Sequence, residues 1–313
     1  MQQPTVILLL AAIILGMNKA AHTKSMVTKI FQTRWQSEGV GATVRRAIGV
    51  PELETLDPFL MLDFAKVKLP AGFPDHPHRG FEAVSYCIEG GFTHEDFFGN
   101  KGALQAGDIQ WMTAGRGIVH SEVPSSSTQD SWGFQIWINL PSHKKMMEPR
   151  YQDMTKAQIP NVADATKRVA VIAGEYQGVK SIIKPESNAH YYDVHLQPGA
   201  TFEQIIPADW NGMVYTYTET PLKVEDSDVA INQACVIKGN GGVLKITNSD
   251  KTKEAKFIIL YGQPLNEPVA WRGPFVMNTQ EQLNQAISDY RNAKNGFENV
   301  KNWKSKNSEL VDY

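Results

Sequence analysis

Cysteine is nearly absent from this 313-residue chain: Cys87 and Cys235 are the only two, far apart in sequence. That excludes a disulfide framework and a thiolate metal site, and leaves both as small apolar fillers on strands. Neither sign of charge dominates. Lys and Arg number 31 against 33 Asp and Glu, a formal net charge of −2, so the basic stripe expected of a direct nucleic-acid binder is missing. A long apolar run is missing too. Val6 to Leu15 is uninterrupted but too short for a membrane span, which needs about 20 apolar residues. It has the length of a secretory signal's apolar region, yet Met1-Gln2-Gln3-Pro4 carries no positive side chain and the small-residue pattern around Lys19-Ala20-Ala21 is imperfect. Residues 1–23 are read as an N-terminal extension, with an alternative start at Met17 or Met26; export or anchoring through this segment is the lesser reading.

What is present is ordinary globular composition, 42% hydrophobic and 20% charged, and within it two paired motifs. His76-Pro77-His78 and His120-Ser121-Glu122 each hold two ligand-type side chains separated by one residue. On a β-strand alternate side chains point to one face, so each pair projects two donors into one space. Two such pairs on facing strands would bring three imidazoles and a carboxylate around one metal ion. That set leaves coordination positions open and suits a non-haem ferrous centre better than a closed structural zinc site, although spacing alone also admits nickel, manganese or copper. A lone H-x-H would read as surface sequence; the second pair and the Ala114-Gly115-Arg116-Gly117 turn before it make a metal site the better reading. His94, after the Gly90-Gly91 turn, reads as a loop or rim residue rather than a fifth ligand. Cys87 is expected to face away from the metal unless the chain is bulged, and Arg79-Gly80 could supply such a bulge.

Short β-like stretches punctuated by glycine and proline run from Met26 to about Tyr151, then again from Val169 to Gly262, which predicts an all-β sandwich or barrel, duplicated. The polar stretch from Pro141 to Lys167 is the natural connection. The metal motif is not duplicated: His190 and His195 lie five apart, on opposite faces of a regular strand, and read as partly buried or surface histidines. The C-terminus changes period. Thr279 and Gln282 form a capping box, Leu283, Ala286, Ile287, Tyr290 and Ala293 mark one helical face, and Gly296 is expected to end the helix.

These residues resemble the pirins, members of the bicupin superfamily. The resemblance is carried by Leu56-Asp57-Pro58-Phe59-Leu60, Gly72-Phe73-Pro74-Asp75-His76-Pro77-His78-Arg79-Gly80-Phe81-Glu82, Gln110-Trp111-Met112-Thr113-Ala114-Gly115-Arg116-Gly117 and Gly273-Pro274-Phe275-Val276-Met277-Asn278-Thr279, and it runs from about Lys24 to Lys304. It implies two jelly-roll β-barrels face to face with a C-terminal α-helix: a metal-holding domain over 24–152, a second cupin domain without metal over 168–275, and a helix and tail over 276–313. It implies Fe(2+) on His76, His78, His120 and Glu122. Glu82 stands where the general cupin pattern has a carboxylate, and in pirins resembles a group beside the metal rather than a ligand.

The same resemblance implies two kinds of function. One is ring cleavage of a flavonol such as quercetin with O2, in which Glu122, or second to it Glu82, takes the hydroxyl proton. The other is a redox-responsive module in nucleus and cytoplasm whose partner is a transcription regulator; Arg79 and Arg116 would lie on that surface, while Lys101 and Asn100 read as solvated turn residues. A monomer is expected.

Overall fold

The computed structural model describes residues 25–312; the expected extension over residues 1–23 lies outside the described residues. Strands appear where the alternating stretches predict them, for example Phe81–Glu89, Ser131–Asn139, Ala189–Leu196 and Ala255–Gly262. Each half of the chain builds one seven-stranded and one four-stranded sheet. In the first half the small sheet orders Phe73–His78, Ile118–Pro124, Gly91–Asp96 and Lys101–Gln105; in the second it orders Thr201–Ile205, Val243–Asn248, Leu222–Val224 and Ser227–Val229. The plan is the duplicated cupin jelly roll that the sequence implies.

Alternation decides what each large sheet faces. Along Phe81–Glu89, Phe81 and Ala83 point into their own sandwich, whereas Val84 and Tyr86 join a core between the two halves. Along Ala255–Gly262, Phe257 and Ile259 point into the second sandwich, whereas Ile258 and Leu260 meet Val84 and Trp111 in that shared core. The two large sheets therefore pack face to face. Each fully buried aliphatic or aromatic side chain contributes about 1.5–3 kcal/mol to holding them there. A buried polar contact crosses the same interface: Tyr86 Oη donates to Asp193 Oδ2 (2.8 Å), whose Oδ1 accepts from Tyr217 Oη within the second half (2.6 Å).

The chain ends exchange sides. Val27–Gln32, which chain order counts with the first half, pairs antiparallel with Gln233–Lys238 in the large sheet of the second. In return the hairpin Ala270–Arg272 and Phe275–Met277 and the helix Gln280–Asn292 pack on the first half. The expected capping box is present, Thr279 Oγ1 accepting from Gln282 N while the Gln282 side chain accepts from the Thr279 amide. Leu283 and Ala286 are buried, as the period predicts. The helix stops earlier than expected, at a left-handed Ala293 (φ 52°). Gly296 (φ +112°) instead lies against the Arg116 carbonyl, 2.5 Å from where a Cβ would sit. Among the described residues no helix is long and apolar enough to cross a membrane.

Candidate metal centre

Phe73–His78 is an edge strand, which tolerates Pro74 and Pro77 because a proline has no N–H to give a second neighbour. Its inner neighbour Ile118–Pro124 aligns His120 with His76 and Ile118 with His78. Cross-strand alignment puts His76 and His120 side by side on one face, and the period of two brings His78 to the same face. The result is a cluster of three imidazoles whose ligand atoms all lie within 4.8 Å of one another. Ring centroids are 4.4 Å apart for His76 and His120, 4.6 Å for His76 and His78, and 4.9 Å for His78 and His120. Gly80 (φ +88°) turns the chain out of the edge strand into the large sheet; a Cβ there would lie 1.9 Å from the Val276 carbonyl oxygen.

Burial lowers the pKa of all three imidazoles, most for His78 and His120, so they are held neutral with lone pairs to offer. His76 Nδ1 lies 2.8 Å from the Pro74 carbonyl, which must accept from it; Nε2 is then the free lone pair. Nδ1 of His78 and both ring nitrogens of His120 are buried with no hydrogen-bond partner. Orphaned buried nitrogens are costly, and one nitrogen from each of the three rings lies close enough to the others for a single divalent transition ion to take a lone pair from each. The three histidines therefore fit a metal.

Glu122 stands beside this cluster rather than within it. A one-residue irregularity in the pairing, with Glu122 opposite Phe73 instead of Pro74, offsets it along the sheet. Its Oε1 accepts from Ser85 Oγ at 2.7 Å. His76, His78, Glu122 and Ser85 open onto a cavity of about 1010 Å³ whose apolar wall includes Phe73, Phe92, Trp137 and Trp271. Trp137 stacks on Phe81 (4.4 Å), and both rings meet His78 edge-on, at 5.2 Å and 5.0 Å.

Several sequence expectations are corrected here. Glu82 does not reach the cavity. It follows Phe81, which points inward, so the alternation turns it toward the interface with the other half, where Trp111 Nε1 (3.0 Å) and Thr113 Oγ1 (2.9 Å) on the neighbouring strand and the Glu186 amide (3.1 Å) from the other half donate to its carboxyl. Burial pushes that carboxyl up to about 7 against those three bonds. Cys87 lines the cavity, the alternative that a break at Arg79-Gly80 allowed, because it sits on a different sheet from His76 and register does not carry across the Gly80 turn. His94 is no rim residue: it is buried in Gly91–Asp96 opposite Glu122, its ring filling the space a Cβ of Gly102 would need, and it stays outside the three-imidazole cluster.

Arg79, expected on the surface, is buried. It donates to the Arg116 carbonyl (2.6 Å), Asp289 Oδ2 (2.8 Å) and the Asn295 carbonyl (2.5 Å), and its guanidinium lies 4.7 Å from the Phe297 ring centroid. It thus ties the C-terminal helix to the residue next to His78. The Arg116 side chain does reach solvent and pairs with Glu148 at 3.0 Å. His190 and His195 are half-buried as expected, the first stacked on Tyr261 (4.7 Å) and the second near Asp193 (3.3 Å). Ser85 and Gln135 carry no motif; their single signal is a polar residue at an inward position of an otherwise apolar strand.

The pirin family matches residues 41–138, and the pirin C-terminal cupin domain matches residues 191–296. Pirin from Homo sapiens is 49% identical over 283 residues, covering 90% of this chain and 97% of its own. A pirin-like protein from Solanum lycopersicum is 46% identical over 293 residues, covering 93% of this chain and 100% of its own. Among solved structures, a quercetin 2,3-dioxygenase from Acinetobacter baumannii superposes with a TM-score of 0.79 at 31% identity, over 87% of this chain and 99% of that one. A bacterial pirin from Escherichia coli in complex with nickel(II) shares the fold (TM-score 0.62, 20% identity, 75% of this chain and 99% of that one). With half of its residues shared with the human protein across nearly its whole length, the chain belongs to the pirin family.

Proposed function

We propose that this pirin is a metal-dependent dioxygenase that opens the ring of a flavonol such as quercetin, with Fe(II) held by His76, His78 and His120 and with Glu122 as the adjacent carboxylate. The observation that carries the reading is a cluster of neutral imidazoles, two of which, His76 and His78, line a cavity large enough for a fused-ring ligand and walled by aromatic rings. A flat polyphenol fits such walls by offset and edge-on stacking. The similarity to the Acinetobacter quercetin 2,3-dioxygenase supports the same substrate class. When bound, the ion supplies the redox and Lewis-acid chemistry that ring opening with O2 requires.

The chain's own residues do the rest. His76, with Nδ1 tied to the Pro74 carbonyl, presents Nε2. Phe81 and Trp137 pack two sides of the His78 ring and keep it in place. Glu122 accepts the flavonol hydroxyl proton at its carboxylate, the one acidic side chain that lines the cavity directly beside the histidines on their own inner strand. The aromatic walls exclude water and hold the ring against the imidazole face.

The test is to mix iron-reconstituted protein with quercetin, first without and then with air. A perturbed flavonol band before air and loss of quercetin after it are the expected results. Full iron occupancy with no quercetin consumed would overturn the dioxygenase reading and return attention to a redox-responsive module.

A further inference from the structure

We infer that Ser85 and Gln135 form a one-way hydrogen-bonded chain that positions the Glu122 carboxylate beside the imidazole cluster. This inference rests on the metal reading above. Ser85 and Gln135 are aligned cross-strand partners on Phe81–Glu89 and Ser131–Asn139, so both side chains project from one face of the large sheet into the cavity. Glu122 projects into the same cavity from the small sheet opposite. The Ser85–Glu122 contact therefore bridges the sandwich from sheet to sheet, at the height of the three histidines.

Hydrogen-bond inventory gives the chain its direction. Ser85 Oγ lies 2.7 Å from Glu122 Oε1 and 2.6 Å from the Gln135 side-chain oxygen Oε1, the end of an amide whose O and N can exchange places. A serine hydroxyl has one proton, and a carboxylate only accepts. The proton must go to Glu122, and Gln135 must then turn its NH2 toward Ser85 and donate. The order is Gln135 Nε2 to Ser85 Oγ to Glu122 Oε1. The same cross-strand row continues to Asp63 and Arg46, whose bidentate pair (2.8 Å and 2.7 Å) also lines the cavity. Ser85 is thus a positioning residue: its hydroxyl is committed to Glu122 and Gln135, and it acts by fixing where the carboxylate stands.

Cobalt(II) is the probe, titrated into metal-free full-length protein and followed by its visible absorption. Ser85→Ala should weaken cobalt binding by about 10-fold, the usual scale for losing a partner that orients a ligand, and should shift the absorption band. Ser85→Thr, which keeps the hydroxyl on a strand, should restore both. Gln135→Leu should move both readouts in the same direction by less, and reads the chain from its other end should Ser85→Ala fold poorly. In a Glu122→Ala background Ser85→Ala should add nothing. Wild-type affinity and spectrum in Ser85→Ala and Gln135→Leu would overturn the inference, as would an effect undiminished by Glu122→Ala. His78→Ala separates the two failures. If it retains cobalt, the metal reading itself falls; if it loses cobalt while Ser85→Ala and Gln135→Leu match wild type, only the positioning chain falls.

Discussion

In the small sheet of the second sandwich Phe202 aligns with Ile246 across the first two strands, the place in the sheet order where His76 aligns with His120 in the first. The two sandwiches share a plan, and their fillings separate them. Phe202, Ile246, Leu244, Phe257 and their neighbours close the second interior into a continuous apolar core. In the first, the positions nearest the edge strand are given to imidazoles, a carboxylate and a serine, and a cavity of about 1010 Å³ remains between the sheets. One copy is stabilised by what it buries; the other gives up some of that burial to keep donors convergent and accessible.

Substitutions can break this comparison from either side. His120→Ala should lower metal affinity more than about 100-fold, beyond the scale of losing an orienting partner, and abolish quercetin turnover while apo protein still folds; equilibrium dialysis and circular dichroism check this. Phe202→Ala in the closed sandwich should instead cost about 3–5 kcal/mol in urea unfolding and leave metal content alone, since it opens a cavity in a filled core. A loss of metal in that variant would show that the two sandwiches are not separable in function.

The interface between them carries its own signature in pH. Glu82 has its carboxyl raised by burial from 4.5 to about 7. Between those values the folded protein keeps a proton that the unfolded chain has released, so the contribution of Glu82 to stability falls as pH rises through that window and is constant above it. The interval corresponds to about 3 kcal/mol. Glu82→Gln lacks this penalty. The stability of the variant relative to wild type should therefore improve by up to that amount between about pH 5 and about pH 8, measured by denaturant titration at each pH. Tyr86→Phe removes one donor from the buried Asp193 and should cost about 1–3 kcal/mol without changing metal content. Arg116→Ala breaks an exposed pair with Glu148 and should change stability by less than about 0.5 kcal/mol; the Arg116 carbonyl that holds Arg79 is backbone and survives the substitution.

Much of this was legible in the chain because it is local. The H-x-H and H-x-E spacings fix two donors per strand face, and the structure joins three of the four residues into the cluster. Thr279 and Gln282 announce the helix, and the glycine and proline punctuation announces the strands. What period does not carry is which sheet a strand joins. Val27–Gln32 looks like the start of the first sandwich and pairs in the second, because its partner Gln233–Lys238 lies some two hundred residues away. Glu82 was misplaced for a related reason, and Cys87 was left open between two faces by it: the turn at Gly80 resets the register, so a face counted from His76 does not continue into Phe81–Glu89. Arg79 reads as a surface charge until the C-terminal helix brings Asp289 to it. Ser85 and Gln135 show no spacing motif, and only their alignment across two strands reveals them.

The measurement that bears most directly on the account is anomalous X-ray scattering from crystals of the iron-reconstituted protein, paired with metal analysis of the same sample. The account predicts one ion per chain, bonded to His76, His78 and His120, and none in the second sandwich. An ion bound elsewhere, or a fully reconstituted sample with no peak among those three histidines, would contradict it.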